Sequence, residues 1–236
     1  MQIYKIPDIN LTKIDYKVGK EVLIALKNVI EKYPYLASVI NCVGDFKYIL
    51  EQKKITAKRL YNEKTQKNNP KNLYKTVSFF TSCCYFDTDD VLKGEVPFYI
   101  GIGINEKDSY EKVISMIEMQ TVNNISYCSS IKECVYHEAG HILDRLLNLN
   151  KSVAFKKNIN ILMKENKYNY PAYALSSERE FIAECFAKYM TNPNYNEAVN
   201  TIGSIIDYLY DYVFNKQNIN KNTNEIYKER VLKIMV

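Results

Sequence analysis

The only two histidines of the chain form the pattern His-Glu-x-x-His, with His137, Glu138 and His141 at its fixed positions. Residues four apart project from the same side of a helix, so both imidazoles can reach one metal ion. Two imidazoles supply half of a tetrahedral zinc site, and the glutamate between them can lean over metal-bound water. The spacing therefore predicts one zinc ion per chain, with the Glu138 carboxylate beside its water.

The third protein ligand is expected to be a carboxylate, because no further histidine is present. One candidate is Asp144, one turn beyond His141. Its position suits a residue that supports the metal ligands better than it suits a ligand. The other lies on a later helix, where Glu180 and Glu184 share a face flanked by alanines that would allow close helix packing. A capping box, with the Glu180 side chain bonded back to the Ser177 amide, is the structural alternative. We favour Glu180 as the ligand and Glu184 as hydrogen-bond acceptor from a zinc-bound imidazole.

The elements that must position these residues are a mixed N-terminal half and a helical C-terminal half. Helical spacing of apolar residues predicts helices at 18–33, 131–148, 153–165, 178–190 and 197–215. The histidine helix is apolar on several sides, so it is expected to be central and buried. Strands are predicted at 73–80 and 96–105, and a short helix followed by a strand within 36–50. Pro97 favours an edge position for the strand at 96–105, and its glycines leave the backbone accessible.

This order of elements predicts an α+β fold. The length of 236 residues suits one domain, residues 1–236, with an N-terminal sub-domain of about 1–128 and a helical one of about 129–236. A net charge of +5 is too small to indicate nucleic-acid binding, and no apolar run is long enough to span a membrane. Six cysteines without a C-x-x-C pair and the absence of a visible signal peptide predict free thiols and a cytoplasmic location. Secretion or delivery as an effector is the alternative.

Two segments carry a resemblance to a known group of proteins. HEAGHILD at 137–144 and YALSSEREFIAECF at 173–186 resemble the gluzincin catalytic domain of anthrax lethal factor, the small Pro-Pro endopeptidases of clostridia and related phage-encoded zincin-like domains. In that group a tyrosine, six intervening residues and then Glu-Phe-x-Ala-Glu complete the active site. Here these are Tyr173 and residues 180–184, and the match covers roughly residues 131–189.

The resemblance implies a zincin-like fold and a zinc endopeptidase that hydrolyses a protein substrate. It implies zinc ligands at His137, His141 and Glu180, the general base at Glu138, and Glu184 behind a ligand. It further implies that Tyr173 faces the oxyanion.

Substrate recognition is the part that the resemblance defines least. The strand at 96–105 is expected to bind the peptide along its edge, through Tyr99, Gly101 and Gly103. The chain contains no tryptophan, which Pro-Pro endopeptidases use in the active site, so their specificity is not expected here. The alternative function is a zincin-fold module for protein binding or a phage particle, with a structural metal. The presence of Glu138 and Tyr173 favours activity, because neither is needed merely to hold zinc.

Overall fold

The structure is a computed structural model that describes residues 6, 8–45, 48, 80–83, 98–101, 108–165 and 169–215. The chain divides into two compact units, 1–116 and 117–236. Among the described residues, a small sheet lies in the first unit and four long helices lie in the second. The fold is therefore α+β in the broad sense, as the sequence predicts.

The sheet of the first unit has four strands among the described residues. They are β1 (Asp8–Asn10), β2 (Ile40–Gly44), β3 (Phe80–Cys83) and β4 (Phe98–Gly101), in the spatial order β1-β2-β4-β3. β2 is parallel to both β1 and β4, whereas β3 is antiparallel to β4. The register sets Asp8 opposite Cys42, Gly44 opposite Gly101, and Phe80 opposite Gly101.

Helices α1 (Tyr16–Lys32) and α2 (Leu36–Val39) connect β1 to β2. α1 begins after Asp15, whose carboxylate accepts the backbone N–H of Lys17 at 2.8 Å. It ends ahead of Pro34, which disfavours helical geometry in the residue before it. The helix predicted at 18–33 and the helix–strand pair predicted within 36–50 are confirmed.

The edge position predicted for the strand at 96–105 is wrong. Residues Phe98–Gly101 form β4, which lies between β2 and β3 in the described sheet. Its backbone pairs on both sides, so a substrate strand cannot be added alongside it. Tyr99 and Gly101 therefore lie on an inner strand. Gly103 and most of the strand predicted at 73–80 lie outside the described residues.

Helix α3 (Tyr110–Val122) crosses the boundary between the two units and was not predicted. Ser109 precedes it, and its hydroxyl accepts the backbone N–H of Lys112 at 3.3 Å. Val113 and Ile117 are buried at helical spacing. The apolar period and the serine cap were the sequence signal for this helix.

The second unit contains α4 (Ile131–Leu146), α5 (Val153–Glu165), α6 (Glu178–Thr191) and α7 (Glu197–Phe214). Their bounds lie within two residues of the predicted ones. Side chains of Ser130, Ser177 and Asn196 cap α4, α6 and α7 by accepting a backbone N–H three residues ahead. No helix among the described residues has the length and apolar character needed to cross a membrane.

Helix α4 is buried along most of its length, as predicted. It packs most extensively against α6, and α6 packs in turn against α7. The buried Glu133 ties α4 to α6, because it accepts hydrogen bonds from Lys188 Nζ at 3.0 Å and Thr191 Oγ1 at 2.7 Å. Lys188 thus neutralises a carboxylate that burial would otherwise disfavour.

Gly203 of α7 leaves room for the ring of Tyr189 of α6. A Cβ at position 203 would lie 2.0 Å from Cγ of Tyr189. We expect Gly203→Ala to lower the free energy of unfolding by about 1–3 kcal/mol, measured by urea denaturation. Gly19→Ala in α1 is the control, because its Cβ would meet Leu11 at an ordinary 3.7 Å. A Gly203→Ala variant as stable as the wild type would contradict this packing of α6 on α7.

Candidate metal centre

Three side chains of the second unit converge at the contact of α4 with α6. Nε2 of His137 lies 3.1 Å from Oε2 of Glu180, and Nε2 of His141 lies 3.3 Å from the same oxygen. The two imidazole rings stand nearly perpendicular, at 87°, with centroids 4.7 Å apart. The three residues could hold a metal ion, because their ligand atoms all lie within 4.8 Å of one another.

The spacing of these atoms fits a small tetrahedral ion. Bonds of about 2.0–2.1 Å at tetrahedral angles separate two ligand atoms by about 3.3 Å. The separations of 3.1 and 3.3 Å to Glu180 match that value. Two imidazoles and one carboxylate also form a ligand set that divalent transition metals prefer.

Small residues bring the two helices close enough for this convergence. A Cβ at Gly140 would lie 3.0 Å from Cα of Ala183, closer than ordinary packing allows. Gly140 stands between the two histidines in sequence, and Ala183 stands between the two glutamates. Ala183 thus lies at the close approach of the two helices, as predicted, and Gly140 is the matching residue that sequence reasoning missed.

Only one of the two hydrogen bonds of a capping box forms at Ser177 and Glu180. Ser177 Oγ accepts the backbone N–H of Glu180 at 3.2 Å, as an N-cap should. The Glu180 carboxylate lies between the two histidines instead of returning to the Ser177 amide. The cap therefore fixes the start of α6, and the side chain is left for the site.

The histidines determine the ionisation of Glu180. Burial by itself would raise its pKa, but hydrogen bonds with His137 and His141 outweigh burial and hold the pKa well below the ordinary value. Glu180 is therefore a carboxylate at neutral pH, the form that binds a metal ion.

Behind the site, Glu184 lies against the other ring nitrogen of His137. Its Oε1 is 3.3 Å from His137 Nδ1, a buried atom whose alignment falls short of a hydrogen bond. Glu184 also accepts hydrogen bonds from Ser126 Oγ at 2.7 Å and from the Tyr127 N–H at 2.5 Å. The predicted hydrogen bond from the imidazole to Glu184 is therefore not formed in this structure, although Nδ1 of His137 faces this buried carboxylate, the side from which an acceptor orients a metal-binding histidine.

Cys128 completes a second group, with His137 and Glu184, whose ligand atoms are also close together. A hydrogen bond with Cys134, burial and the charge of Glu184 all raise the pKa of the Cys128 thiol well above its ordinary value. A protonated thiol is a poor metal ligand. The four cysteines whose side chains are described are free thiols, as expected.

Glu138 and Tyr173 lie at the same centre. Glu138 is buried, and its charge helps to raise the pKa of Tyr173. The Tyr173 ring stacks on His137, with centroids 5.9 Å apart and an angle of 29°. Burial, followed by the charges of Glu180 and Glu138, raises the Tyr173 pKa far above its ordinary value, so the phenol stays protonated. Tyr173 is nonetheless 44% exposed, so the site opens toward solvent on its side.

Asp144 takes no part in the metal group. Its buried carboxylate accepts hydrogen bonds from the backbone and the side chain of Asn150, at 3.0 and 2.7 Å. Arg179 Nε lies 4.0 Å away. Burial raises the pKa of Asp144, and the hydrogen bonds from Asn150 are the main opposing effect. Of the two sequence candidates for the third ligand, the structure brings only Glu180 to the histidines.

No family model matches the chain, and neither the curated proteins nor the solved structures include a match to it.

Proposed function

We propose that this protein is a zinc-dependent endopeptidase with a zincin-like catalytic unit. The observation that carries the proposal is the convergence of His137 Nε2 and His141 Nε2 on one oxygen of Glu180, at 3.1 and 3.3 Å. A set of two histidines and one glutamate with a fourth position left open is typical of catalytic zinc, whereas structural zinc has four protein ligands.

Zinc would be held by His137, His141 and Glu180, one ion per chain. When bound, it lowers the pKa of water and polarises a carbonyl. Ionised Glu180 and neutral imidazoles are the forms of these side chains that bind the ion. Glu184 supports the site from behind by facing Nδ1 of His137.

Glu138 and Tyr173 are the residues that we assign to the proton and to the oxyanion. Glu138 accepts a proton from the attacking water while the water oxygen bonds to the carbonyl carbon. It then delivers that proton to the amine as the C–N bond breaks, giving a carboxylic acid and an amine. The raised pKa of Tyr173 keeps its hydroxyl protonated, so it can donate a hydrogen bond to the oxyanion.

The substrate that we infer is a polypeptide approaching from the side of Tyr173. Tyr173 is 44% exposed, whereas Glu184 is 1% exposed. Peptide hydrolysis would therefore take place on the solvent-facing side of the site, and Glu184 would support His137 from the buried side. β4 is not assigned to substrate binding, because both of its sides are paired within the described sheet.

Removal of the metal tests the proposal. We expect the zinc-loaded protein to contain one zinc per chain and to cut members of a peptide library, followed by mass spectrometry. Treatment with 1,10-phenanthroline should abolish cleavage, and added zinc should restore it. A zinc-loaded protein that cuts nothing would overturn the peptidase assignment in favour of a binding module. A protein without stoichiometric zinc would overturn the metal site itself.

A further inference from the structure

The residues between α3 and α4 bond to two different parts of the candidate site. We define this 124–128 segment as Asn124, Ile125, Ser126, Tyr127 and Cys128. The Asn124 carbonyl accepts the Ala172 N–H at 3.0 Å, and the Ile125 carbonyl accepts the Tyr173 N–H at 2.8 Å. Two backbone bonds thus hold the chain at Tyr173 against the segment.

The next two residues hold Glu184. Ser126 Oγ donates to Oε1 of Glu184 at 2.7 Å, and the Tyr127 N–H donates to Oε2 at 2.5 Å. The Ser126 oxygen also accepts the Cys128 N–H at 3.0 Å, so its hydroxyl acts as both donor and acceptor. Ser126 is 8% exposed, so water cannot readily replace these bonds.

The segment is itself firmly anchored. Asn124 has a φ of 51° and ends α3 in the left-handed conformation. The Ile125 N–H bonds to the Gln120 carbonyl at 2.8 Å, and the Asn124 N–H to the Thr121 carbonyl at 3.0 Å, which together form a Schellman motif. At the other end, Thr121 Oγ1 donates to the Cys128 carbonyl at 2.9 Å.

The two side chains next to the bonds of this segment, Tyr173 and Glu184, both lie against His137. Tyr173 stacks on the face of its ring, and Glu184 lies against its Nδ1. We propose that the 124–128 segment is the positioning element of the candidate metal site, with Ser126 as a positioning residue that orients His137 through Glu184. This inference rests on the proposed zinc site.

Zinc affinity of the full chain, measured by competition with a chromophoric chelator, tests the role of Ser126. Substitution of an outer hydrogen-bond partner typically weakens metal binding about 10–100-fold, so we expect Ser126→Ala to bind zinc about tenfold more weakly. Ser126→Thr, which keeps the hydroxyl, should restore wild-type affinity. The visible absorption of the Co²⁺-substituted protein should change in Ser126→Ala and not in Ser126→Thr, because the spectrum reports ligand geometry.

Two further variants separate positioning from general destabilisation. Ser204→Ala removes another buried serine hydroxyl, on α7, and should leave zinc affinity and the cobalt spectrum unchanged. Asn124→Gly keeps the left-handed turn and should bind zinc as the wild type does, whereas Asn124→Val strains the turn and should weaken binding. The two Asn124 variants still test the positioning role if Ser126→Ala does not fold.

The outcomes distinguish this inference from the proposed function. A wild type that binds zinc, together with Ser126→Ala and Asn124→Val variants of equal affinity and unchanged cobalt spectra, overturns the positioning role alone. Failure of Ser126→Thr to restore the affinity lost in Ser126→Ala also overturns it. A wild type that binds no zinc overturns both proposals.

Discussion

Replacing Glu138 with glutamine is expected to stop peptide cleavage while the protein still binds one zinc ion. Glutamine has nearly the same size and shape, so the buried position on α4 is filled as before. Its amide cannot accept the proton of the attacking water. General-base catalysis contributes about 10²–10⁴ in rate, so we expect cleavage of the best library peptide to fall by about 10³-fold.

The control for this prediction is Glu178→Gln, the same chemical change on α6. Glu178 accepts a hydrogen bond from Asn160 Nδ2 at 3.0 Å, which a glutamine oxygen can also accept. Glu178→Gln should therefore retain full activity. Glu138→Gln protein that contains zinc and cuts at the wild-type rate would show that Glu138 is not the general base.

Local sequence patterns predicted the helices that carry the candidate site. His137 and His141 are four residues apart, as are Glu180 and Glu184, so each pair occupies one face of one helix. The serine before α6 and the alanines along it indicated where the helix begins and which side packs closely. Apolar periodicity and capping are local properties of the sequence. They predicted these helices correctly because the apolar faces that they define are the faces buried in the fold.

The order of the strands could not be derived in the same way. The proline and the two glycines within 96–105 are local features of this strand. Whether a strand lies at the edge of a sheet depends instead on which other strands pair with it. β4 pairs with β2, more than fifty residues earlier in the chain, and with β3. Such long-range pairing leaves no local trace in the sequence.

The 124–128 segment escaped prediction for a related reason. Ser126 and Glu184 are 58 positions apart, and the tertiary fold alone brings them together. Asn124 in a left-handed turn was the one local signal, because asparagine tolerates positive φ at the end of a helix. That signal predicts a helix end but not the side chains that the following residues will contact.

Replacing Glu180 with alanine is expected to remove zinc binding more completely than any other single change outside the two histidines. The substitution deletes the oxygen on which both Nε2 atoms converge. The start of α6 should persist, because Ser177 caps it through the backbone N–H of residue 180 and not through the side chain. We expect the loss of affinity to exceed the ~10–100-fold typical of an outer-shell substitution.

Asp144→Ala decides between the two carboxylates that the sequence offered as third ligand. Asp144 is buried against Asn150, so this variant should lose stability in thermal unfolding and still bind one zinc per chain. The zinc content of Glu184→Gln should lie between those of Asp144→Ala and Glu180→Ala, because this change weakens the support of His137 without deleting a ligand. Metal content after gel filtration measures all three. An Asp144→Ala variant that loses zinc, alongside a Glu180→Ala variant that keeps it, would reverse the assignment and transfer the third ligand from α6 to α4.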